Sequence, residues 1–185
     1  MTQKFFPTRC SNRLFRMRLA VTAFATASAV SIVFTSSAMA APKDGAKFDN
    51  WAIKCEKSDE KDKDKIEVCY AFQNVVTKEG NQRVLNVAVG YAPKIEDPVA
   101  LITLPLGIAL PPGAGLTIDQ DKPIRFPIER CEPNGCRAGL KLEKVLLDKL
   151  TKAGKVEVNF SDGAHRPVKV PLSMKGFSEA LKNLK

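Results

Sequence analysis

The stretch Leu85-Asn86-Val87-Ala88-Val89-Gly90 decides the fold class, because it alternates large apolar residues with small or polar ones. Alternation with a period of two is typical of a β-strand with one buried face, here formed by Leu85, Val87 and Val89. The same alternation returns in segments 124–128, 156–160 and 168–172. Short alternating strands separated by turns predict a mainly β protein, built as an antiparallel β-sandwich.

Two short helices are expected beside these strands. The first covers residues 143–152, has Leu150 in its apolar stripe and stops near Gly154, a residue that favours helix C termini. The second is C-terminal and has its apolar residues on one stripe: Phe177, Leu181 and Leu184. Ser173 precedes it and is expected to cap its N terminus, because a serine hydroxyl accepts a hydrogen bond from a free helical N–H.

The first 40 residues have the order of a secretory signal peptide. Their basic residues come first and no acid offsets them: Lys4, Arg9, Arg13, Arg16 and Arg18. The apolar run 19–34 follows, and then the small-residue tripeptide Ala38-Met39-Ala40. The run is shorter than the roughly 20 residues of a spanning helix. We therefore expect cleavage before Ala41, export of the chain, no membrane span after cleavage, and a single domain over residues 41–185.

The charge of the exported part is modest. The full chain has 29 basic and 20 acidic residues, and five of the basic ones lie in the predicted signal peptide. Cleavage leaves 24 basic against 20 acidic residues, a net charge of +4. A balance of this size is ordinary for a soluble surface and does not predict a nucleic-acid partner.

Four cysteines remain after the predicted cleavage, and an oxidising compartment favours disulfides between them. Three pairings are possible in principle. Cys55 and Cys69 flank a predicted hairpin, and Cys131 and Cys136 flank the turn-forming Pro133-Asn134-Gly135. We therefore expect the disulfides Cys55–Cys69 and Cys131–Cys136. The spacing lacks the Cys-x2-Cys pattern of zinc knuckles and of thioredoxin-like redox sites, so neither alternative is favoured.

The segment 57–65 is polar and nearly all charged, and it is expected to form a solvated hairpin tip. Its charges make it a candidate surface for a partner, with five residues singled out: Lys57, Asp59, Lys61, Asp62 and Lys63. A calcium site is the alternative for its aspartates. Lysines interleave them, and no glycine supplies the central turn of a calcium-binding loop, so no metal is expected.

The apolar segment 104–115 contains prolines and glycines that prevent a regular strand. One interpretation is a crossover between two sheets that packs on the core. The other is an exposed apolar partner surface, for which the candidates are Leu106, Ile108 and Leu110.

No catalytic set is recognisable in the sequence. The chain has one histidine, His165, and no Gly-x-Ser-x-Gly motif that would give it a nucleophilic partner. Glycine-rich phosphate loops and metal-ligand clusters are missing as well. The sequence therefore predicts neither an enzyme nor a cofactor.

Four motifs, taken in order, resemble the invasion-associated locus B family over about residues 45–184. They are Phe48-Asp-Asn-Trp51 with Cys55, the run Leu104-Pro-Leu-Gly-Ile-Ala-Leu-Pro-Pro-Gly113, the Cys131-x4-Cys136 turn with Gly135, and Pro171-Leu-Ser-Met-Lys-Gly-Phe177. Each motif is weak alone, but their order and spacing together are specific.

The resemblance implies an immunoglobulin-like β-sandwich exported by an alphaproteobacterium to the periplasm, the outer-membrane surface or the medium. It also implies an association with entry into host cells, notably erythrocytes. The first functional hypothesis is a binding or adhesion module, whose partner is a host-cell surface or an envelope protein. The second is a periplasmic structural or chaperone-like factor that supports invasion indirectly. The oligomeric state is left open.

Overall fold

The described part of the chain consists of residues 42–57, 67–79, 82–93 and 95–184 of a computed structural model. Over these residues the chain forms eleven strands and two helices. The strands are β1 (Lys47–Phe48), β2 (Trp51–Lys57), β3 (Glu67–Val76), β4 (Arg83–Gly90), β5 (Val99–Leu104), β6 (Ala114–Ile118), β7 (Ile124–Phe126), β8 (Arg130–Glu132), β9 (Gly135–Lys141), β10 (Val156–Ser161) and β11 (Pro167–Leu172). The helices are α1 (Lys144–Lys152) and α2 (Phe177–Lys182).

The strands form two antiparallel sheets. The larger sheet has seven strands in the order β1-β2-β3-β4-β5-β9-β8, so its first five strands follow one another as a meander. The smaller sheet has four strands in the order β11-β10-β6-β7. The prediction of a mainly β, antiparallel protein with two short helices is confirmed, while the immunoglobulin-like detail stays a prediction.

The core lies between the inner faces of the two sheets. On β4 the inner residues are Leu85, Val87 and Val89, which are at most 3% exposed. On β10 the inner residues Val156 and Val158 are equally buried. The period-two alternation therefore identified the buried face of both strands, because only one face of each packs against the opposite sheet.

The first helix agrees with its prediction, with Leu150 buried against the core. The capping role expected of Ser173 is wrong. Helix α2 begins after Gly176, whose carbonyl accepts the N–H of Ala180 at 2.9 Å, three residues beyond Ser173. The Ser173 hydroxyl instead accepts the N–H of Lys175 at 3.3 Å and donates to Asn50 Oδ1 at 2.9 Å. Ser173 thus organises the turn before the helix.

The predicted signal peptide, residues 1–40, lies outside the described residues, as do Asp59, Lys61, Asp62 and Lys63 of the charged tip. No helix among the described residues is long and apolar enough to cross a membrane.

Candidate functional site

A groove runs along the outer face of the larger sheet, with β4 at its floor. The outward residues of β4 are Asn86, Ala88 and Gly90. Larger side chains stand opposite the two small ones: Phe72 is the cross-strand partner of Ala88, and Tyr70 that of Gly90. Small residues between rows of large ones leave a trough, and the resulting concavity has a volume of about 680 Å³.

The β5 wall mirrors the β3 wall. Leu101 lies opposite Ala88, and Val99 lies opposite Gly90. Leu101 is 45% exposed, a high value for a leucine in the middle of a sheet. Together with the aromatic residues of β3, it gives the middle of the groove an apolar lining. An apolar patch on an outer sheet face commonly marks an interaction surface.

At one end of the groove, three side chains of β2 and β3 interact. Lys54 and Glu56 form an ion pair. A hydrogen bond from Lys54, and a second from the Tyr70 hydroxyl, lower the pKa of the Glu56 carboxyl. Burial, followed by the bond to Glu56, raises the pKa of Tyr70, so the phenol stays protonated at neutral pH. The polar groups at this end therefore satisfy one another.

The opposite end of the groove is cationic. Arg130 and Arg137 share a single carboxylate, Glu132, at N–O distances of 3.0 and 3.4 Å. Arg83 donates from Nη2 to the carbonyl oxygen of Asn134 at 2.9 Å and has no ion-pair partner among the described residues. Two guanidinium groups line the groove at this end: that of Arg137 is paired with Glu132, and that of Arg83 has no ion-pair partner among the described residues, so positive charge is in excess.

A row of polar side chains crosses the groove next to its apolar middle and ends at Arg137, which lies opposite Thr103. Asn74, Asn86 and Thr103 are cross-strand neighbours on β3, β4 and β5. Asn86 Nδ2 donates to Asn74 Oδ1 at 2.9 Å. That bond uses one polar atom of each amide, and each amide has a second one. The groove therefore offers amide and hydroxyl groups beside its arginines.

The disulfide predictions are confirmed. Cys55–Cys69 links directly opposed residues of β2 and β3, and Cys131–Cys136 links directly opposed residues of β8 and β9. These four cysteines are therefore all oxidised in disulfides.

Of the residues predicted as partner surface, Lys57 lies exposed at the end of β2 next to the charged tip. Leu106 and Leu110 are 55% and 47% exposed, whereas Ile108 is half-buried and packs against the core. The segment 104–115 therefore combines both interpretations: it is a crossover from β5 to β6, and two of its leucines face solvent.

Lys57 and Leu106 lie at opposite ends of the larger sheet. Lys57 pairs with Glu67 at the start of β3, while Val76 pairs with Arg83 at its other end. Leu106 shares a depression of about 400 Å³ with Arg83 and other residues of the cationic end. The groove extends between Lys57 and Leu106 and was not predicted from the sequence; the partner role of both residues stays a prediction.

The motif residues at the two ends of the domain serve to close the sandwich. Trp51 Nε1 and Gln73 Nε2 both donate to the Ser173 carbonyl oxygen, at 2.9 and 2.8 Å. Gln73 Oε1 accepts the Ser173 N–H at 3.0 Å, and the rings of Trp51 and Phe177 lie 4.9 Å apart between centroids. These contacts join the motif around Trp51 to the motif 171–177, and therefore give both a structural role.

The one histidine of the chain lies in a turn at the surface. His165 is exposed in a turn in which Asp162 Oδ1 accepts the N–H groups of Ala164 and Arg166, both at 2.9 Å. These bonds, first among them that of Arg166, lower the pKa of Asp162. Within the described part of the chain, no three His, Cys, Asp or Glu side chains are grouped so that they could hold a metal ion.

Fold and surface together define a disulfide-crosslinked antiparallel β-sandwich protein with an open groove on its larger sheet. The chain belongs to the invasion associated locus B (IalB) family, whose model matches residues 51–185. Proteins of this family are extracellular or associated with the bacterial envelope.

Individual relatives agree with this assignment. Invasion protein B homologues of two Brucella abortus strains, 2308 and 9-941, are each 27% identical over 140 residues, covering 72% of this chain and 75% of theirs. The crystal structure of invasion associated protein B from Bartonella henselae matches with a TM-score of 0.63 and 23% identity, over 75% of this chain and 92% of that one. At that identity the structural match supports the fold.

Proposed function

We propose that the protein is a binding module of the bacterial envelope that contributes to the invasion of host cells, erythrocytes among them, without catalysing a reaction. The open groove carries this proposal, because a monomeric soluble domain seldom leaves aromatic and leucine side chains grouped on an outer sheet face without a partner. The names of its relatives link the family to invasion.

The absence of catalysis is part of the proposal. Three titratable groups, Lys54, Glu56 and Tyr70, bond to one another at the end of the groove opposite the cationic end. Their pKa values are moved away from neutrality: those of Lys54 and Tyr70 are raised, and that of Glu56 is lowered. General acid–base chemistry works best with a group whose pKa lies near the operating pH. The proposed partner is a host-cell surface or an envelope component that contacts the groove.

Protease treatment of intact cells tests the location that this function requires. We expect an external protease to digest the protein while a periplasmic control protein survives. Protection of both proteins would contradict direct host contact. It would instead favour the second candidate function, a periplasmic structural or chaperone-like factor, for which the exposed Leu106 and Leu110 are the supporting observation.

An entry assay tests the role of the groove itself. Leu101→Glu places a charge in the apolar middle of the groove, whereas Val145→Glu places the same charge on α1, where Val145 is 73% exposed. We expect Leu101→Glu to reduce entry of the bacterium into erythrocytes and Val145→Glu to leave it unchanged. Equal entry with both variants would show that the groove does not serve invasion.

A further inference from the structure

We propose that the groove of the larger sheet binds an acidic oligosaccharide. The proposal rests on the binding function proposed above and specifies the chemical class of the ligand. Three properties of the groove lead to it: its width, its lack of free backbone groups, and the distribution of charge and aromatic side chains along it.

The width of the groove favours a single extended chain. Its walls rise from β3 and β5, the two neighbours of β4, and second neighbours in a sheet are about 10 Å apart. A helix with its side chains has a diameter of about 10–12 Å and is too wide to reach the floor between walls at that spacing. The ligand that contacts Ala88 and Gly90 at the floor is therefore a slender chain lying along β4.

The floor and walls favour a saccharide over an extended peptide. The backbone N–H and C=O groups of β4 are paired with those of β3 and β5. An extended peptide would therefore bury its own backbone groups, unpaired, against Phe72 and Leu101, at a cost of about 1–3 kcal/mol for each group. A pyranose ring instead presents C–H faces to an aromatic side chain and carries its hydroxyl groups around its rim.

The polar part of the groove matches that rim. Asn74 and Asn86 provide amide groups, and Thr103 provides a hydroxyl group, in the cross-strand row that borders the apolar middle and continues to Arg137. Amide and hydroxyl groups both donate and accept hydrogen bonds, as sugar hydroxyls do. Aromatic and apolar surface with a few polar groups of this kind is the usual composition of a small-ligand site.

The charge of the groove favours an acidic ligand. The lining side chains include three cations, Lys54, Arg83 and Arg137, and one anion, Glu56, which is paired with Lys54. Arg137 is paired with Glu132, so the cation without an ion-pair partner among the described residues is Arg83, at the cationic end. A guanidinium group binds a carboxylate through two parallel N–H donors, so a uronic-acid unit at this end completes the complementarity.

Calorimetric titration tests the proposal with three probes: tetragalacturonate, the neutral maltotetraose, and tetraglutamate, which has acidic side chains on a peptide backbone. The protein is expressed from its full reading frame and purified with both disulfides formed. We expect tetragalacturonate to bind with a dissociation constant of about 1 mM or lower. Maltotetraose and tetraglutamate are each expected to bind at least about tenfold more weakly, since each lacks one of the two complementary features.

Arginine variants locate the binding. Arg83→Gln removes the guanidinium group that has no ion-pair partner among the described residues, and we expect it to weaken tetragalacturonate binding about fivefold or more. Arg125→Gln is the matched control, because Arg125 is also exposed and also donates to a backbone carbonyl, that of Pro112 at 3.4 Å, but lies on β7 of the smaller sheet. The control is expected to bind like the wild type.

Four results would overturn the proposal: no binding of tetragalacturonate, equal or tighter binding of tetraglutamate, equal binding of maltotetraose, or equal weakening by Arg83→Gln and Arg125→Gln. The entry assay separates this proposal from the proposed function. Loss of entry in Leu101→Glu without saccharide binding refutes the ligand class alone, whereas saccharide binding with normal entry of Leu101→Glu refutes the role in invasion alone.

Discussion

Gly176 stands where the beginning and the end of the domain meet. Its φ of 81° lies in the left-handed region, and an added Cβ would collide with the carbonyl oxygen of Phe48. Gly107 has nearly the same φ, 79°, but an added Cβ there would have no neighbour within 4 Å. The two glycines therefore separate the cost of the backbone conformation from the cost of a collision with another strand.

We expect Gly107→Ala to lower the free energy of unfolding by about 1–2 kcal/mol, the cost of left-handed backbone. Gly176→Ala should lower it by more than about 3 kcal/mol, because the chain must also move away from Phe48. Urea unfolding of both variants measures the difference. Equal losses would show that the contact between Gly176 and Phe48 does not constrain the fold.

Single residues also show where sequence reasoning ends. Gln73 follows Ala71 by two residues and therefore lies on the same inner face of β3, where it is a buried polar residue. Its amide pairs with the backbone of Ser173, 100 residues later. No local pattern reveals a partner at that distance, so neither the burial of Gln73 nor the turn role of Ser173 could be predicted.

At the scale of single elements, β3 explains why the groove was missed. Its consecutive residues Val68, Cys69, Tyr70, Ala71 and Phe72 are all apolar or aromatic, so they do not alternate. A run of this kind is usually explained by burial on both faces. Among the described residues, the outer face is covered neither by the two helices nor by the smaller sheet, and the unexplained apolarity is the signal that could have pointed to the groove.

The edges of the larger sheet carry a second feature of elements. On β2, the N–H of Cys55 donates to Asp44 Oδ1 at 2.8 Å, and on β9, the N–H of Gly139 donates to Glu129 Oε1 at 3.1 Å. The outermost strands of this sheet, β1 and β8, are short, and beyond the end of each a backbone N–H of the next strand would lack a partner. In both places a carboxylate oxygen accepts the hydrogen bond of that N–H. Edge donors without a partner favour pairing with the sheet of another molecule.

We therefore expect the double variant Asp44→Ala/Glu129→Ala to shift toward larger species than the wild type as concentration rises, as measured by sedimentation velocity. Asp44→Asn/Glu129→Gln is the matched control: it loses the same two charges but keeps an acceptor oxygen at each edge. If the two variants sediment identically, any association results from the loss of the two carboxylate charges and not from the exposed edge donors.

For the whole molecule, the fold class followed from the sequence and the arrangement of the sheets did not. Alternation identified several strands and their buried faces. The charged segment 57–65 placed Cys55 and Cys69 at the feet of one hairpin, and the turn residues 133–135 placed Cys131 and Cys136 at the ends of another. The order of the strands depends on contacts between distant segments, such as the pairing of β5 with β9 across the crossover 104–115. Alternation specifies which face of a strand is buried, not which strand lies beside it.

The closure of the whole sandwich depends on Phe177, which is 1% exposed and packs against the equally buried Trp51. We expect Phe177→Ala to lower the free energy of unfolding by about 3–5 kcal/mol, whereas Leu184→Ala, a truncation of a half-buried residue beyond α2, should cost about 1 kcal/mol. Trp51 is the only tryptophan of the chain, so its fluorescence reports on this contact.

Because Ser173 and Phe177 hold Trp51 and Gln73 of the larger sheet, the C-terminal segment should unfold together with both sheets. In urea, the midpoint of the change in Trp51 fluorescence is then expected to equal that of the change in far-ultraviolet circular dichroism. This equality should hold within the wild type and, at a lower urea concentration, within Phe177→Ala. A fluorescence change at lower urea than the loss of circular dichroism would contradict this. The segment 173–184 would then be a separately unfolding unit, and the contacts around Trp51 would not hold the two sheets together.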